Sequence, residues 1–306
     1  MRIIRGPRSH PARRIAGLVA GAVLVALFVV PAVASAATYT VGTTSDTTGT
    51  CANPAAGTCS LRQLINYENT AGTNDTILVP AGGYSVNSAL TITRSVSIQG
   101  AGARTTTVEE TTSDRVFAVE PAAGTVPGPI PTVTISGLAI WFGAATGTNG
   151  PFGGNVLNEG TLTLSEDWIQ GGSAQSGAGV SNDGGTLTVT HSLISANNSN
   201  SGGADSGGIQ NFGPNPATGT PGILEVDNST IAHNTANLGG GIFSWCGGTN
   251  GACSSSGATN STTIVNSTIA YNDGGTRSAT GGGLLVSEGT MSVENSIVAF
   301  NTVDTP

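Results

Sequence analysis

The sequence predicts an all-β protein, a right-handed parallel β-helix with a short N-terminal capping helix, and three observations carry that prediction. The phrase NSTIAHN at Asn228 to Asn234 returns as NSTIAYN at Asn266 to Asn272 and as NSIVAFN at Asn295 to Asn301. Between these phrases a glycine-led segment recurs, as GGNVLNEG (153–160), GAGVSNDG (177–184), GGIQNFG (207–213), GGGIFS (239–244) and GGGLLVSEG (281–289). The apolar stretches are three to five residues long and lack helical periodicity. Strands so short bury little by themselves, so stacking on their own copies must supply the core.

The repeat has a measurable length. Aligning the apolar residue of each NSTI-like segment gives Ile140, Ile169, Ile194, Ile231, Ile269 and Val298, at intervals of 29, 25, 37, 38 and 29. The two long intervals place their extra residues in the Gly-, Pro-, Ser- and Asn-rich stretches 212–222 and 245–261, and a solenoid tolerates insertions confined to loops. A propeller blade needs about 40 or more residues and four strands, and the dense leucine pattern of a leucine-rich repeat is absent.

In chain order, residues 1–36 read as an export signal. Arg2, Arg5, Arg8, Arg13 and Arg14 precede an apolar run from Ile15 to Val33 and the small-residue site Ala34-Ser35-Ala36, which puts the start of the mature chain at Ala37. The run approaches the ~20 residues that span a bilayer, but Pro31 and the Ala-x-Ala site favour cleavage, leaving no membrane span. Residues 37–76 hold a first strand (Thr38 to Val41), a cysteine loop and a helix from Leu61 to about Asn69. Ser60 stands as its N-cap and Gln63 at capping-box spacing. Leu61, Leu64 and Ile65 share one face, suited to covering the open end of a stack. Residues 77–306 form the β-helix, which is expected to be incomplete at its C-terminus because no cap follows the last repeat.

Charge and cysteines bound the partners. The basic residues are all arginine, and five of them fall within residues 1–36; five then face eighteen acids in the mature chain, a net charge of −13. Such a surface repels nucleic acid and anionic membranes. Cys51 with Cys59 and Cys246 with Cys253 are spaced for two local disulfides in an oxidising compartment. Zinc would need CxxC-like spacing and histidines, so no metal is expected. No cofactor is expected either, since the glycines lead into no helix and no lysine is present.

Asn228, Asn266 and Asn295 form one column and Asn234, Asn272 and Asn301 another. Identical amides one coil apart can bond to one another, and Asn tolerates a left-handed turn, so both columns are expected to be structural ladders. For chemistry, the densest candidates are Glu166 and Asp167 beside Trp168. His191 is expected one coil on in the Glu166 column and Asp227 one coil further. Glycoside hydrolysis needs two carboxylates at a working distance, and the strand alternation separates Glu166 from Asp167. Trp141, Trp168 and Trp245 are the candidate sugar-stacking residues.

CSLRQLINYEN, from Cys59 to Asn69, resembles the CSLREAI segment near the start of a group of exported bacterial right-handed β-helix proteins. The paired GGGI and IAHN, IAYN and VAFN units are similar to the repeats of polymorphic outer-membrane proteins, which are surface adhesins and autotransporters. Gln63 and Leu64 replace the Glu and Ala of the first motif. The resemblance implies export and surface or extracellular placement, and no settled activity. Together these readings predict a secreted or surface-displayed monomer, a non-catalytic scaffold for glycan binding or adhesion, with an extracellular polysaccharide as partner. The alternative is a polysaccharide lyase or glycoside hydrolase using the acidic patch near Trp168.

Overall fold

A computed structural model describes residues 36–122, 129–145, 150–199, 206–213, 219–246, 259–275 and 280–303. The chain divides into two units, Met1–Ala34 and Ser35–Pro306; the first lies outside the described residues, and with it the predicted export signal. No described helix is long and apolar enough to cross a membrane.

The second unit is a parallel β-helix. Successive coils contribute strands to three stacked sheets, of nine, eight and seven strands among the described residues, with a further two-stranded pair of Ala144–Ala145 and Ser173–Ala174, and all of these strand pairs are parallel. The first sheet runs from Thr38–Thr40 through Thr161–Ser165 and Thr186–Thr190 to Thr290–Glu294. The second contains Ala139–Trp141, Trp168–Gln170, Leu193–Ser195 and Thr230–Ala232. The third contains Phe117–Val119, Val156–Asn158, Val180–Asp183, Ile209–Gly213 and Ile242–Cys246. The register sets Ile140, Ile169, Ile194, Ile231, Ile269 and Val298 opposite one another, the column the repeat alignment predicts. From Ile140 to Ile269 these isoleucines are buried completely. The core is thus a stack of one-residue-deep layers, in which burial comes from the neighbouring coils.

Polar groups inside the coils are satisfied along the stack. Asn197 Nδ2 donates to Asn234 Oδ1 (2.9 Å), Asn234 to Asn272 (3.0 Å) and Asn272 to Asn301 (2.9 Å). Each Oδ1 also accepts the backbone N–H of the preceding asparagine, at 3.0 Å. The other predicted column differs. Asn228, Asn266 and Asn295 all hold the left-handed backbone expected of them (φ 48, 50 and 49°), but they lie exposed at the corner between first and second sheets. There Asn228 and Asn266 donate to the two oxygens of Asp227 (2.9 and 3.1 Å) instead of to each other. At an exposed corner the amides point outward, and the carboxylate is the better acceptor.

Two further ladders escaped the sequence reading. Asn158, Asn182 and Asn211 bond in series at 2.7 and 2.8 Å, all buried in the third sheet. Ser192, Ser229, Ser267 and Ser296 form a third, in which the Oγ of each of the last three accepts the N–H of the serine one coil before.

The glycine segments mark a close approach of coils. A Cβ on Gly179 would stand 2.5 Å from Gly208 O, one on Gly208 2.4 Å from Gly241 O, and one on Gly241 2.3 Å from Gly283 O. Backbone presses on backbone there, so only hydrogen fits.

At the N-terminus the helix Leu61–Ala71 closes the stack, two residues longer than expected, with Gly72 as a left-handed C-cap. Ser60 Oγ accepts from Gln63 N and Gln63 Oε1 from Ser60 N, and Leu61, Leu64, Ile65 and Glu68 are its buried face. Arg62 grips both oxygens of Asp46 (2.7 and 3.0 Å) and the carbonyls of Ser88 and Ala89, tying helix to loop and coil. Cys51 is bonded to Cys59. Cys246 is buried and disulfide-bonded; Cys253, its predicted partner, lies outside the described residues.

Candidate functional site

From Gly137 onward, the corner between the first and second sheets takes a left-handed residue in six successive coils. Gly137, Glu166, His191, Asn228, Asn266 and Asn295 fill it. Glycine and asparagine suit that backbone; glutamate and histidine suit it less well. The register corrects one expectation. Asn228 stands beyond His191 in this column, because His191 N donates to Asp227 O and Asp227 pairs with Thr190 inside the strand. Asp227 is therefore one residue out of the Glu166 line.

The next position carries the serine ladder, and Asp167 occupies its early rung. Asp167 N donates to Ser192 Oγ (3.1 Å), while its carboxylate accepts from Leu138 N (2.8 Å) and Ser165 N (3.1 Å). Only 2% exposed, its carboxyl is pushed well up by burial, against the pull of those two N–H donors. Glu166, by contrast, is exposed and faces a separate hollow beside Gln99, Ser136 and Ser165. The adjacent acids thus point apart, one into the wall and one to solvent.

Beyond the ladder the second sheet turns alternate residues outward. Later coils place Thr230, Ala232, Thr268 and Ala270 there, whereas the earlier ones place Trp168 and Trp141. The indoles meet edge to face, with centroids 5.2 Å apart and planes at 84°, and Phe142 packs on Trp141 at 5.9 Å. Trp168 Nε1 reaches Ser195 Oγ at 3.3 Å. The groove they border has a volume of about 720 Å³ and is also lined by Arg104, His191, Leu193, Asn228 and Thr230. His191 Nδ1 lies 2.7 Å from Thr190 Oγ1, which orients the ring. Of the sequence candidates, Trp141, Trp168, Asp167 and His191 meet here. Trp245 does not: it sits on the third sheet, edge to face with Phe212 at 5.0 Å and stacked on Phe243 at 6.1 Å.

The third sheet holds acids that the sequence reading passed over. Glu120 and Glu159 follow consecutive paired strands, Asp183 ends the next one, and the column continues into Phe212 and Trp245. Burial first, then the charges of Asp183 and Glu120, push Glu159 up to about 7, with Arg115 opposing; burial alone raises Asp183 to about 6. Arg115 itself is buried, its Nη2 donating to Gly150 O (3.1 Å) and Phe152 O (3.0 Å). The signal was present in the sequence as the acids of NEG and NDG, each one residue after a ladder asparagine.

Raised carboxyls fix the sign of the pH dependence. A folded-state pKa above the unfolded one means that the folded chain holds its proton longer, so stability falls as pH climbs between the two values. Glu159 and Asp183 place that fall between about pH 4 and 7. The thermal midpoint is therefore expected to be lower at pH 8 than at pH 5. Asp167→Ser, which restores the serine rung, is expected to raise the midpoint at pH 8 by an amount worth about 1–2 kcal/mol and to matter little at pH 4. Calorimetry at the three pH values checks both.

No family model matches the chain, and no curated protein matches it. Among solved structures it is similar to the Dettilon tailspike protein, at 14% identity over 74% of this chain and 42% of that one, with a TM-score of 0.38. It is also similar to a pectin methylesterase solved with a hexasaccharide (11% identity, 78% and 79% covered, TM-score 0.31) and to the pectin methylesterase PemA from Erwinia chrysanthemi (12%, 78% and 79%, TM-score 0.30). The chain spans less than half the length of the tailspike.

Proposed function

We propose that the protein is a secreted or surface-displayed β-helix that binds a glycan, without turning it over, in the groove bordered by Trp141 and Trp168. The observation that carries this reading is the pair of tryptophans standing on outward positions of the second sheet where no later described coil has an aromatic residue, beside Arg104, His191, Asn228 and Thr230. Indole faces pack on the apolar face of a sugar ring, while the guanidinium, imidazole, amide and hydroxyl supply hydrogen bonds to its hydroxyls. The carboxylates argue against hydrolysis in this groove. Asp167 is committed to two backbone donors and Glu166 faces elsewhere, so no acid pair flanks a bound sugar. Export and the resemblance to CSLREAI-type proteins belong to the same proposal.

A glycan array probed with the exported protein tests it. Trp168→Ala and Arg104→Ala are each expected to weaken the bound glycans by about 10-fold or more, with the thermal midpoint nearly unchanged. Unaltered binding by both variants would overturn the assignment.

A second reading has one observation in its favour. Glu159 and Asp183 stand at the ends of adjacent strands, one coil spacing of ~4.8 Å apart, and their raised pKa values suit an acid near neutral pH. Turnover of an array glycan that is lost in Glu159→Gln and retained in Trp168→Ala would move the function to the third sheet.

A further inference from the structure

The first coil contains two buried carboxylates that no arginine pairs with among the described residues: Arg62 is taken by Asp46, and Arg94 lies beside Gly72. Asp75 is 1% exposed and Glu68 is fully buried. Thr73 Oγ1 donates to Asp75 Oδ2 (2.7 Å) and lies 3.4 Å from Glu68 Oε2, which Asp75 N approaches at the same distance. Glu68 Oε1 is buried with no hydrogen-bond partner among the described residues. Around the pair stand Tyr39 and Tyr67, whose rings meet edge to face at 5.7 Å, and no arginine contributes to the field at either carboxyl. A buried carboxylate without a counter-charge is costly, and burial and the charge of Asp75 push Glu68 up to about 7.

One further group already touches Asp75: Ala37 N donates to Asp75 Oδ1 at 2.7 Å. Ala37 is also the residue that follows the Ala34-Ser35-Ala36 cleavage site. We propose that hydrolysis of the Ala36–Ala37 bond supplies the missing cation, and that the new α-ammonium of Ala37 is seated by Asp75 and Glu68. An endopeptidase of the kind that cuts after Ala-x-Ala adds water across the bond. The hydroxyl goes to the Ala36 carbonyl carbon, and the released nitrogen of Ala37 takes up protons to become the ammonium.

The consequence is structural. Ala37 leads directly into Thr38–Thr40, whose only strand partner among the described residues is Thr76–Val79, and Thr76 N donates to Ala37 O at 2.8 Å. Seating the ammonium clamps the edge strand of the first sheet onto the body of the helix. A peptidase acting on the extended chain during export would deliver the ammonium before the coil closes, so that folding completes on the processed chain. Facing the ammonium are Glu68 from the helix, Asp75 and Thr73 from the loop after it, and Tyr39 and Tyr67. Its protonation and that of Glu68 then set the pH range of the clamp.

The absence of lysine makes the test direct, because the α-amine is the only primary amine of a chain beginning at Ala37. The sample is the exported product of the full chain, its N-terminus read by intact mass, compared with the product of a chain carrying one glycine inserted between Ala36 and Ala37. Acylation by an amine-reactive ester at pH 7.5 is expected to be at least about 10-fold slower in the folded product than in the same product in guanidinium. The glycine-extended product is expected to react nearly as fast as unfolded chain and to melt at lower temperature at pH 7, a gap that closes at pH 10, where the amine is neutral. Asp75→Asn, if it folds, should also lose the protection. A product that does not begin at Ala37, or equal acylation of folded and unfolded protein, overturns the proposal without reference to any variant.

Discussion

Asn234→Ala is expected to destabilise the β-helix by about 3–5 kcal/mol, lowering the thermal midpoint on the order of 10 °C. The magnitude follows from what one side chain does. Its Oδ1 accepts Asn197 N and Asn197 Nδ2, and its Nδ2 donates to Ile194 O and Asn272 Oδ1. Alanine removes all four bonds at a site with no exposure. Stranded buried polar groups cost about 1–3 kcal/mol each, partly relieved by their remaining partners. Asn234→Asp should fare no better, since it lacks the donor that Asn272 and Ile194 require. A midpoint shift of 2 °C or less would show that water or relaxation replaces the amide, and the ladder would then be incidental to stability.

Gly208→Ala is expected to cost about 3 kcal/mol or more. The new methyl would stand 2.4 Å from Gly241 O, 3.0 Å from Ile231 Cγ2 and 3.1 Å from Asn234 Nδ2. None of these can swing aside: the first is backbone, the second is core and the third is the ladder just described. Relief requires spreading the coils, which stretches the parallel hydrogen bonds on either side. Gly83→Ala is the control. Its Cβ would meet nothing within 4 Å, and a change within about 0.5 kcal/mol is expected. Comparable losses at the two positions would mean that helix and strand propensity, and not the approach of coils, explains the glycine segments.

The repeat was legible because stacking makes sequence identity and spatial contact the same thing. Ile194 faces Ile231 and Asn234 faces Asn272 because each coil copies its neighbour, and the copying survives in the sequence. The capping helix was legible from local chemistry, Ser60 with Gln63. Less was visible where a role passes between different residue types. Asp167 sits in a serine column, and Asn155, from the glycine-led segment, places its amide where a side chain at Gly172 would lie, its Nδ2 2.6 Å from the Cβ position and donating to Asn197 Oδ1. A one-residue offset was enough to put Asp227 beside the Glu166 column instead of in it. The acids after Asn158 and Asn182 were missed for a further reason: their proximity depends on a third sheet whose register the NSTI alignment does not set.

The central claim is that the groove of Trp141 and Trp168 binds a glycan and leaves it intact. Titrating an array-selected oligosaccharide into the exported protein while following tryptophan fluorescence, then weighing the recovered sugar by mass spectrometry, tests it most directly. A saturable change that disappears in Trp168→Ala, and a sugar of unchanged mass, are expected. Shortened or unsaturated products, or a binding curve indifferent to Trp168, would contradict it.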